Sequence, residues 1–396
     1  MPVDRKGTGM LTATVQFCGA GGTSEGARQA GIRVVAAINH NKVAIATHEA
    51  NHSTATHYRQ AMEACDPDEM PESDWLLTSP CCTNHSPAKG QKQYHSFDLF
   101  GDIIFDPLAE KSRNTMDDVI RFAAAKKRAG KLYTFIVVEN VIDVVKWRRY
   151  QSWLSTLTTL GYRHQALYWN TQFFGVPQSR DRVYMVFWLQ DLPAPDLQHR
   201  PATFCEYCER EVEAVQSWKS LLKWGRYREQ YVYCCPRCTR EVTPCFTPVK
   251  SVLHLDRPGD PLFDRKSGRI LVQNTIDTIR KGIERLHGQP FLYAYYNNPL
   301  YRRLNEPVGT ITTVDRWALV TPARKFEETT YRMLSPEEIK LCMGFPVAYQ
   351  VRGTVKEQIW QLGNAVCPAI MCEILKRCRT AVAPLGKQEG VSCQSI

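Results

Sequence analysis

The sequence predicts an α/β fold: a doubly wound, mostly parallel sheet with a second, smaller domain attached. Three observations predict it. A β-rich run near the start leads through a glycine turn at 19–22 into a helical segment and a second apolar run. Polar and cysteine residues follow several short apolar runs, at the edge where such sheets carry their chemistry. The stretch 200–303 differs in character, with 18 Lys and Arg against 11 Asp and Glu.

Length and composition are those of an ordinary globular protein. The 396 residues are 43% hydrophobic and 23% charged, enough for one large and one smaller core. No apolar run is long enough to span a membrane, and the first residues lack the apolar segment of a signal peptide. We therefore expect a cytoplasmic chain whose 15 cysteines are thiols or metal ligands rather than disulfides.

The net charge of +10 is concentrated in the segment 200–303. A basic excess confined to one segment favours a polyanionic partner, most plausibly nucleic acid. A basic face that is merely solvated would give the same balance of charge. Charge alone therefore leaves both interpretations open.

The first strands of the sheet are predicted around the glycine turn. Residues 13–17 and 33–38 are expected to form neighbouring strands, with the turn and a helix between them. Glycines let a ligand approach the backbone and leave the next helix's N–H groups facing it, although a purely structural tight turn has the same sequence. Asn39 ends the second strand, where a side chain commonly binds ribose hydroxyls.

A cysteine pair follows the next predicted strand, Trp75–Thr78. Pro80 cannot donate to a strand ladder and ends this strand, so Cys81 and Cys82 lie just beyond its carboxyl end. A thiol there is a candidate nucleophile, and an incidental buried cysteine is the alternative. The polar stretch 89–114, with interspersed aromatic residues, is a candidate loop that closes over a substrate.

Two further apolar runs carry charged groups at their ends. A predicted strand at 133–138 stops at Glu139, and a buried carboxylate is costly unless it has a function. Arg180 and Arg182 precede a predicted strand at 183–189 and point the same way, although a solvated strand edge is the alternative. Helices are also predicted at 41–50, 117–128 and 153–160, and another strand at 163–169.

In this order, the motifs resemble those of the cytosine-5 DNA methyltransferase family. The resemblance covers most of the chain outside 190–300, and the ordered set is far more specific than any single motif. The matching segments are Phe17-Cys18-Gly19-Ala20-Gly21-Gly22, Pro80-Cys81-Cys82 with Ser86 beyond it, Glu139-Asn140-Val141, Gln178-Ser179-Arg180-Asp181-Arg182, 303–312, 332–346 and Gly363-Asn364-Ala365-Val366.

The resemblance implies a Rossmann-like fold that binds S-adenosylmethionine (SAM) and methylates carbon 5 of cytosine in double-stranded DNA. It also implies that a cysteine adds to carbon 6 of a flipped-out base, with Glu139 at nitrogen 3 and Arg182 at oxygen 2. The implied catalytic residues are Cys82, Glu139, Arg182, Arg180, Ser86 and Asn140. The implied SAM-binding residues are Phe17, Gly19, Ala20, Gly21, Gly22, Asn39, Pro80, Asn364, Ala365 and Val366.

The sequence departs from the family pattern at three places. The family has Pro-Pro-Cys-Gln where this chain has Pro80-Cys81-Cys82-Thr83. The dipeptide favours Cys81 and the spacing to Ser86 favours Cys82; we assign Cys82, because spacing fixes where a side chain points. Asn39 stands where the family has an acidic ribose ligand, and the aspartate expected near 57–59 is not evident. A donor other than plain SAM is therefore a second hypothesis.

The basic segment contains two Cys-x-x-Cys pairs with 26 residues between them. This spacing is typical of a structural zinc ribbon, because four thiolates leave no open position on the ion. Free thiols are the alternative, and Cys234 or Cys245 could replace one ligand. Interleaved basic and aromatic residues around the pairs favour contact with DNA. The predicted zinc ligands are Cys205, Cys208, Cys235 and Cys238.

The motifs divide the chain into three parts. We expect a SAM-binding catalytic domain at 1–195 and a target-recognition domain at 196–310, with the ribbon at about 204–246. A C-terminal segment at 311–396 is expected to return to the catalytic domain through a helix at about 355–378.

Two other functions compete with DNA methylation. A tRNA methyltransferase would use the same motifs, although the basic insert is larger than it needs. A catalytically silent, zinc-dependent DNA-binding protein would not need Cys82, Glu139 and Arg182 together. We expect a monomeric, prokaryotic or phage-encoded protein at the nucleoid, with no membrane partner. It could act within a restriction–modification system or alone; the sequence does not define its target site or a partner endonuclease.

Overall fold

The computed structural model describes residues 10–80, 115–263, 271–295 and 299–382, together with two short strands at 96–97 and 103–104. No helix in these ranges is long and apolar enough to cross a bilayer. The strands are β1 Thr12–Gln16, β2 Arg33–Ile38, β3 Thr56–Tyr58, β4 Trp75–Thr78, β5 Ser96–Phe97, β6 Ile103–Ile104, β7 Phe135–Asn140, β8 Tyr162–Asn170, β9 Asp181–Leu189, β10 Ala202–Cys205, β11 Arg210–Glu213, β12 Val215–Trp218, β13 Tyr231–Cys234, β14 Glu241–Val242, β15 Asp260–Pro261, β16 Phe291–Ala294, β17 Leu300–Arg303, β18 Trp317–Thr321 and β19 Thr330–Met333. The helices are α1 Gly22–Gln29, α2 Lys42–Asn51, α3 Asp117–Arg128, α4 Tyr150–Thr159, α5 Gln273–Arg285, α6 Pro336–Cys342, α7 Val355–Asn364 and α8 Pro368–Val382.

A seven-stranded sheet forms the centre of the molecule. Its order is β3-β2-β1-β4-β7-β9-β8. The first five strands are parallel, and β9 runs antiparallel between β7 and β8. Helices α1, α2 and α3 follow β1, β2 and β4 in the chain, as helices do in doubly wound folds. The predicted α/β class with a mostly parallel sheet is therefore confirmed.

Helices cover both faces of this sheet because its inner strands are apolar on both sides. Val15 and Leu77 pack with α1 and α8 on one face, whereas Leu76 and Ile136 pack with α3 and α4 on the other. Gly26 allows α1 to approach α8 closely: a Cβ at this position would lie 2.7 Å from the Cβ of a residue in α8. Helix α8 thus packs on the helix that follows the glycine turn.

The basic segment folds into smaller antiparallel sheets. β10 pairs with β11, and β12, β13 and β14 form a second sheet. A five-stranded sheet in the order β15-β19-β18-β16-β17 follows. Ile279 of α5 packs with Phe291 and Val320 in the core of this third sheet. The third sheet draws its strands from both sides of residue 310.

Three elements differ from those predicted. β7 runs to Asn140, so Glu139 lies within the strand; β9 pairs with all six residues of β7 and extends it. β3 is too short and too polar for a sequence pattern to indicate, yet it forms the edge of the central sheet. The expected helix at 355–378 is two helices, α7 and α8, because the residue before Pro368 disfavours the helical conformation.

Candidate active site and cysteine cluster

Three of the predicted motifs meet at the carboxyl edge of the central sheet. Parallel strands β4 and β7 both end there. Because β9 is antiparallel to β7, its first residues begin at the same edge, and Val183 is the register partner of Asn140. The topology therefore brings Pro80, Glu139 and Arg182 together from distant parts of the sequence.

A buried ion pair joins Glu139 and Arg182. Their Oε1 and Nε atoms lie 3.1 Å apart. Glu139 is only 7% exposed, and burial raises the pKa of its carboxyl group against the opposing effects of Arg182 and Arg180. The carboxyl group is thus easier to protonate than an exposed glutamate while it remains next to a guanidinium.

Arg180 holds this edge to two later segments of the chain. It is buried, and its guanidinium donates to the carbonyl oxygens of Ile311 at 2.8 Å and Gly363 at 2.9 Å. Both carbonyls belong to segments that resemble family motifs. Arg180 is therefore placed to hold these segments together.

Asn140 links the end of β7 to the end of β4. Its Nδ2 donates to the carbonyl of Pro80 at 3.3 Å, and its Oδ1 accepts the N–H of Val141 at 2.8 Å. The segment that leads to the cysteine pair is therefore tied directly beside Glu139. Cys81, Cys82 and Ser86, and the candidate closing loop at 89–114, lie outside the described residues, apart from the short strands β5 and β6.

The glycine turn packs closely against the backbone at Val366. Gly21 has φ +87°, a left-handed conformation that favours glycine. A Cβ at Gly22 would lie 1.9 Å from the carbonyl oxygen of Val366. Phe17 also has a positive φ, of 54°, so the backbone turns sharply directly after β1. The turn and Val366, both predicted to bind the cofactor, are thus in contact.

Buried polar groups without hydrogen-bond partners lie near this turn, as expected if a polar ligand supplies the missing hydrogen bonds. The side-chain amide of Gln16 and the hydroxyls of Thr78 and Ser79 are buried and have no hydrogen-bond partner among the described residues. Gln16 and Thr78 are register partners on β1 and β4. Asn39 is half-buried at the end of β2, and its Oδ1 accepts the N–H of Asn41 at 2.9 Å. The residues present therefore fit a nucleoside-type cofactor.

A histidine cluster behind the glycine turn was not predicted from the sequence. His48 Nδ1 lies 2.7 Å from His57 Nε2, and His48 Nε2 lies 2.7 Å from the hydroxyl of Ser24. Burial lowers the pKa of His48 well below its ordinary value and lowers that of His52 to about 4. The Tyr349 hydroxyl lies 3.3 Å from His52 Nε2. The four-residue spacing of His48, in α2, and His52, directly after α2, was the available sequence signal.

The four cysteines predicted to bind zinc lie together. Their sulfur atoms are all within 4.8 Å of one another. Cys205 and Cys238 are separated by 3.6 Å, and Cys208 and Cys235 by 3.9 Å. Zn–S bonds of about 2.3 Å in a tetrahedron require sulfur atoms about 3.8 Å apart. The cluster therefore fits a zinc ion, and neither Cys234 nor Cys245 belongs to it.

The ribbon that carries these cysteines is anchored beside the candidate active site. Arg226 forms an ion pair with Asp143, just beyond the end of β7. The backbone N–H of Tyr227 donates to Asp181 Oδ1 at 3.0 Å, and burial raises the pKa of Asp181 to about 6. Cys205 and Cys235 belong to the same hydrophobic core as the segment after Glu139. The ribbon and the sheet are therefore packed as one unit.

Comparison with known families identifies the family to which this architecture belongs. A family model described as C-5 cytosine-specific DNA methylase matches residues 16–380. The chain belongs to this family. Membership supports SAM as the cofactor predicted from the glycine turn. The family match includes the ribbon segment as well as the motifs on either side of it.

Curated relatives of this chain are named as bacterial Type II methyltransferases. M.BsuFI of Bacillus subtilis is 25% identical over 363 residues, which cover 90% of this chain and 69% of the relative. M.AgeI of Thalassovita gelatinovora is 27% identical over 43% of this chain and 37% of its own length. M.NgoBI of Neisseria gonorrhoeae is 26% identical over 53% of this chain and 62% of its own length. The chain thus spans less than two thirds of the length of these last two relatives.

Solved structures of methyltransferases share the fold. The Entamoeba histolytica methyltransferase EhMeth aligns with a TM-score of 0.58 at 12% identity, covering 95% of this chain and all of that one. A putative DNA modification methyltransferase encoded within an Escherichia coli prophage aligns with a TM-score of 0.54 at 16% identity, over 94% and 99% of the two chains. At these identities the likeness concerns the fold alone.

Proposed function

We propose that this protein methylates carbon 5 of cytosine in double-stranded DNA, with SAM as the methyl donor. The observation that carries the proposal is the buried Glu139–Arg182 pair, which lies beside the strand end that leads to Cys82. Family membership supports the reaction type, and the basic segment supports a DNA substrate. Membership also argues against a catalytically silent DNA-binding protein.

The chain's own residues would activate the base. Carbon 5 of cytosine is a weak nucleophile, and addition of the Cys82 thiolate to carbon 6 would convert the ring to an enamine that can attack at carbon 5. SAM, when bound, supplies the methyl group on a positively charged sulfur. Loss of the proton from carbon 5 then expels Cys82 and restores the aromatic ring.

Glu139 and Arg182 would stabilise the charge that this addition creates. Negative charge moves toward nitrogen 3 of the ring, where a protonated Glu139 can donate a hydrogen bond or a proton. The raised pKa of Glu139, caused by burial, favours that protonated form. Arg182 would bind oxygen 2 and lower the pKa of the nearby thiol, Asn140 and Arg180 would hold the strand ends in place, and Ser86 would clamp the flipped base.

The proposed cofactor site is the carboxyl edge around the glycine turn. The unpartnered polar groups of Gln16 and Thr78 support it. Asn39 would offer its Nδ2 to a ribose hydroxyl as an uncharged donor, in place of an acidic residue. The residues that would line the site are Phe17, Gly19, Ala20, Gly21, Gly22, Asn39, Pro80, Asn364, Ala365 and Val366.

The proposed recognition domain is the segment 196–310, stabilised by zinc in the four-cysteine cluster. The distances between the sulfur atoms support the ion, which would have a structural role. The catalytic part at 1–195 and the C-terminal segment at 311–396 would then enclose the active site. We further propose a monomeric, cytoplasmic protein that associates with the nucleoid. The Type II names of its relatives support a place in a restriction–modification system.

Bisulfite sequencing of nucleic acids from an expressing host tests the proposal. The wild-type chain should leave 5-methylcytosine at one recurring sequence in the host DNA, and Cys82→Ser should abolish it at equal expression. Cys81→Ser is the matched control and should retain methylation. Methylation found only in tRNA, or in neither nucleic acid, would reject the proposal.

A further inference from the structure

The ribbon carries an exposed apolar tip in the loop between β12 and β13. Leu221 is fully exposed and Leu222 is 68% exposed, and Leu221 is the most exposed large apolar side chain in the described part of the chain. Single exposed leucines are common on protein surfaces. Two adjacent ones at the end of a loop are unfavourable in water unless a partner covers them.

The base of this loop is rigidly held. The backbone N–H of Lys219 donates to the carbonyl of Gln230 at 2.9 Å, and that of Arg226 donates to Gln230 Oε1 at 2.8 Å. The Lys219 ammonium also donates to the carbonyl of Arg228 at 2.6 Å. The two leucines therefore lie in a loop whose two ends are fixed to each other.

The same loop is attached to the candidate active site. Lys146 lies over the ring of Trp224 at 5.4 Å, and Arg226 pairs with Asp143. Both contacts are made to the segment that directly follows the strand of Glu139. The loop that carries the tip is thus attached to the segment after β7, the strand that contains Glu139 and would contact the flipped base.

The basic residues of this loop favour DNA as the partner of the tip. Lys223 directly follows Leu222 in the chain and is exposed, as is Arg228 in the same loop. Cations that flank an apolar tip suit phosphates on either side of an opened base step. Proteins that unstack a duplex insert leucine or similar apolar side chains between base steps. A base cannot be flipped out unless its stack is opened.

We propose that Leu221 and Leu222 form a wedge that enters the DNA duplex beside the target cytosine and opens the base stack. The inference rests on the proposed DNA substrate. In this proposal the ribbon helps to flip the base by unstacking the duplex, in addition to any role in recognising the DNA sequence.

The test compares three variants on a duplex selected by the protein from a random pool, with 2-aminopurine in place of adenines. Wild type should raise the 2-aminopurine fluorescence on binding, because this base brightens when it is unstacked. The double variant Leu221→Ala/Leu222→Ala should lose most of that rise, and Leu221→Met/Leu222→Met should retain it. Leu255→Ala, at another exposed leucine, is the control and should behave as wild type.

Methyl transfer gives a second measurement. The alanine pair should be slower by roughly 10- to 100-fold on a paired duplex. Its rate should match that of wild type where the cytosine lies opposite an abasic site, because an unpaired base is flipped at a lower cost. An undiminished fluorescence rise, or an equal loss of transfer on both substrates, would overturn the wedge. A wild-type dimer that the alanine pair dissolves would also overturn it and assign the tip to a second copy. Since fluorescence requires no methyl transfer, an inactive enzyme would reject only the proposed function.

Discussion

The central sheet and the zinc-ribbon region are held together by different means. At the carboxyl edge of the sheet, buried side chains connect several distant segments, as Arg180 does with the carbonyls of Ile311 and Gly363. The ribbon has short strands, and four sulfur atoms lie within 4.8 Å of one another between them. The difference indicates that the geometry around Glu139 and Arg182 depends on packing throughout the chain, whereas the ribbon, if it binds the proposed zinc ion, depends largely on one site.

Removal of zinc should have the largest effect, and the ribbon and the sheet should respond to it differently. Structural zinc contributes on the order of 10–16 kcal/mol in zinc-finger peptides, so chelation should unfold the ribbon and abolish DNA binding. The sheet should still bind SAM. Metal content, DNA binding and calorimetric SAM binding measure these effects.

Cys208→Ser should reproduce the loss of metal. Cys245→Ser, an exposed cysteine outside the cluster, should retain it. A native protein without bound zinc, or a chelated protein with undiminished DNA binding, would contradict the proposed role of the cluster.

Glu139→Gln should slow methyl transfer and leave the ribbon folded. An amide cannot give a proton to the ring, so the single-turnover methylation rate should fall by roughly 10²- to 10⁴-fold. DNA affinity and zinc content should not change. Glu211→Gln on the exposed face of the ribbon is the control, and a rate loss below about tenfold in Glu139→Gln would exclude the assigned role.

Arg180→Lys should destabilise the sheet by leaving one of two buried carbonyls without a donor. The expected loss is about 2–4 kcal/mol of unfolding free energy, measured by urea denaturation. Arg33→Lys, at an exposed position on β2, should change it by less than about 0.5 kcal/mol. Equal stability of the two variants would show that Arg180 does not brace the site.

Acid should weaken the sheet through the histidine cluster. Burial lowers the pKa of His52 in the folded state to about 4, below its unfolded value of about 6.5. Its contribution is therefore present above pH 6.5 and is lost as the pH falls from about 6.5 toward 4. Between pH 7 and 4.5, the unfolding free energy of His52→Gln should therefore fall by about 1–3 kcal/mol less than that of wild type. Urea denaturation at each pH measures this difference. An unchanged pH dependence would indicate that His52 is not buried beside Tyr349 in the folded state.

The sequence predicts the sheet better than the ribbon, for physical reasons. Long apolar runs such as β7 are buried on both faces and can be recognised without knowledge of their neighbours. The cysteine spacing likewise predicted which four sulfur atoms meet. The histidine cluster depends on the pairing of β3 with β2, and the anchoring of the ribbon depends on Asp143 and Asp181, which only the folded chain brings to Arg226 and Tyr227.

Covalent trapping on a duplex that contains 5-fluorocytosine tests the central claim most directly. Fluorine at carbon 5 prevents the final elimination, so wild type with SAM should remain attached to the DNA, and peptide mass spectrometry should locate the bond at Cys82. Cys81→Ser should trap as wild type does, and Cys82→Ser should not trap. An adduct at Cys81, or no adduct with a duplex that the protein binds and methylates, would contradict the assignment.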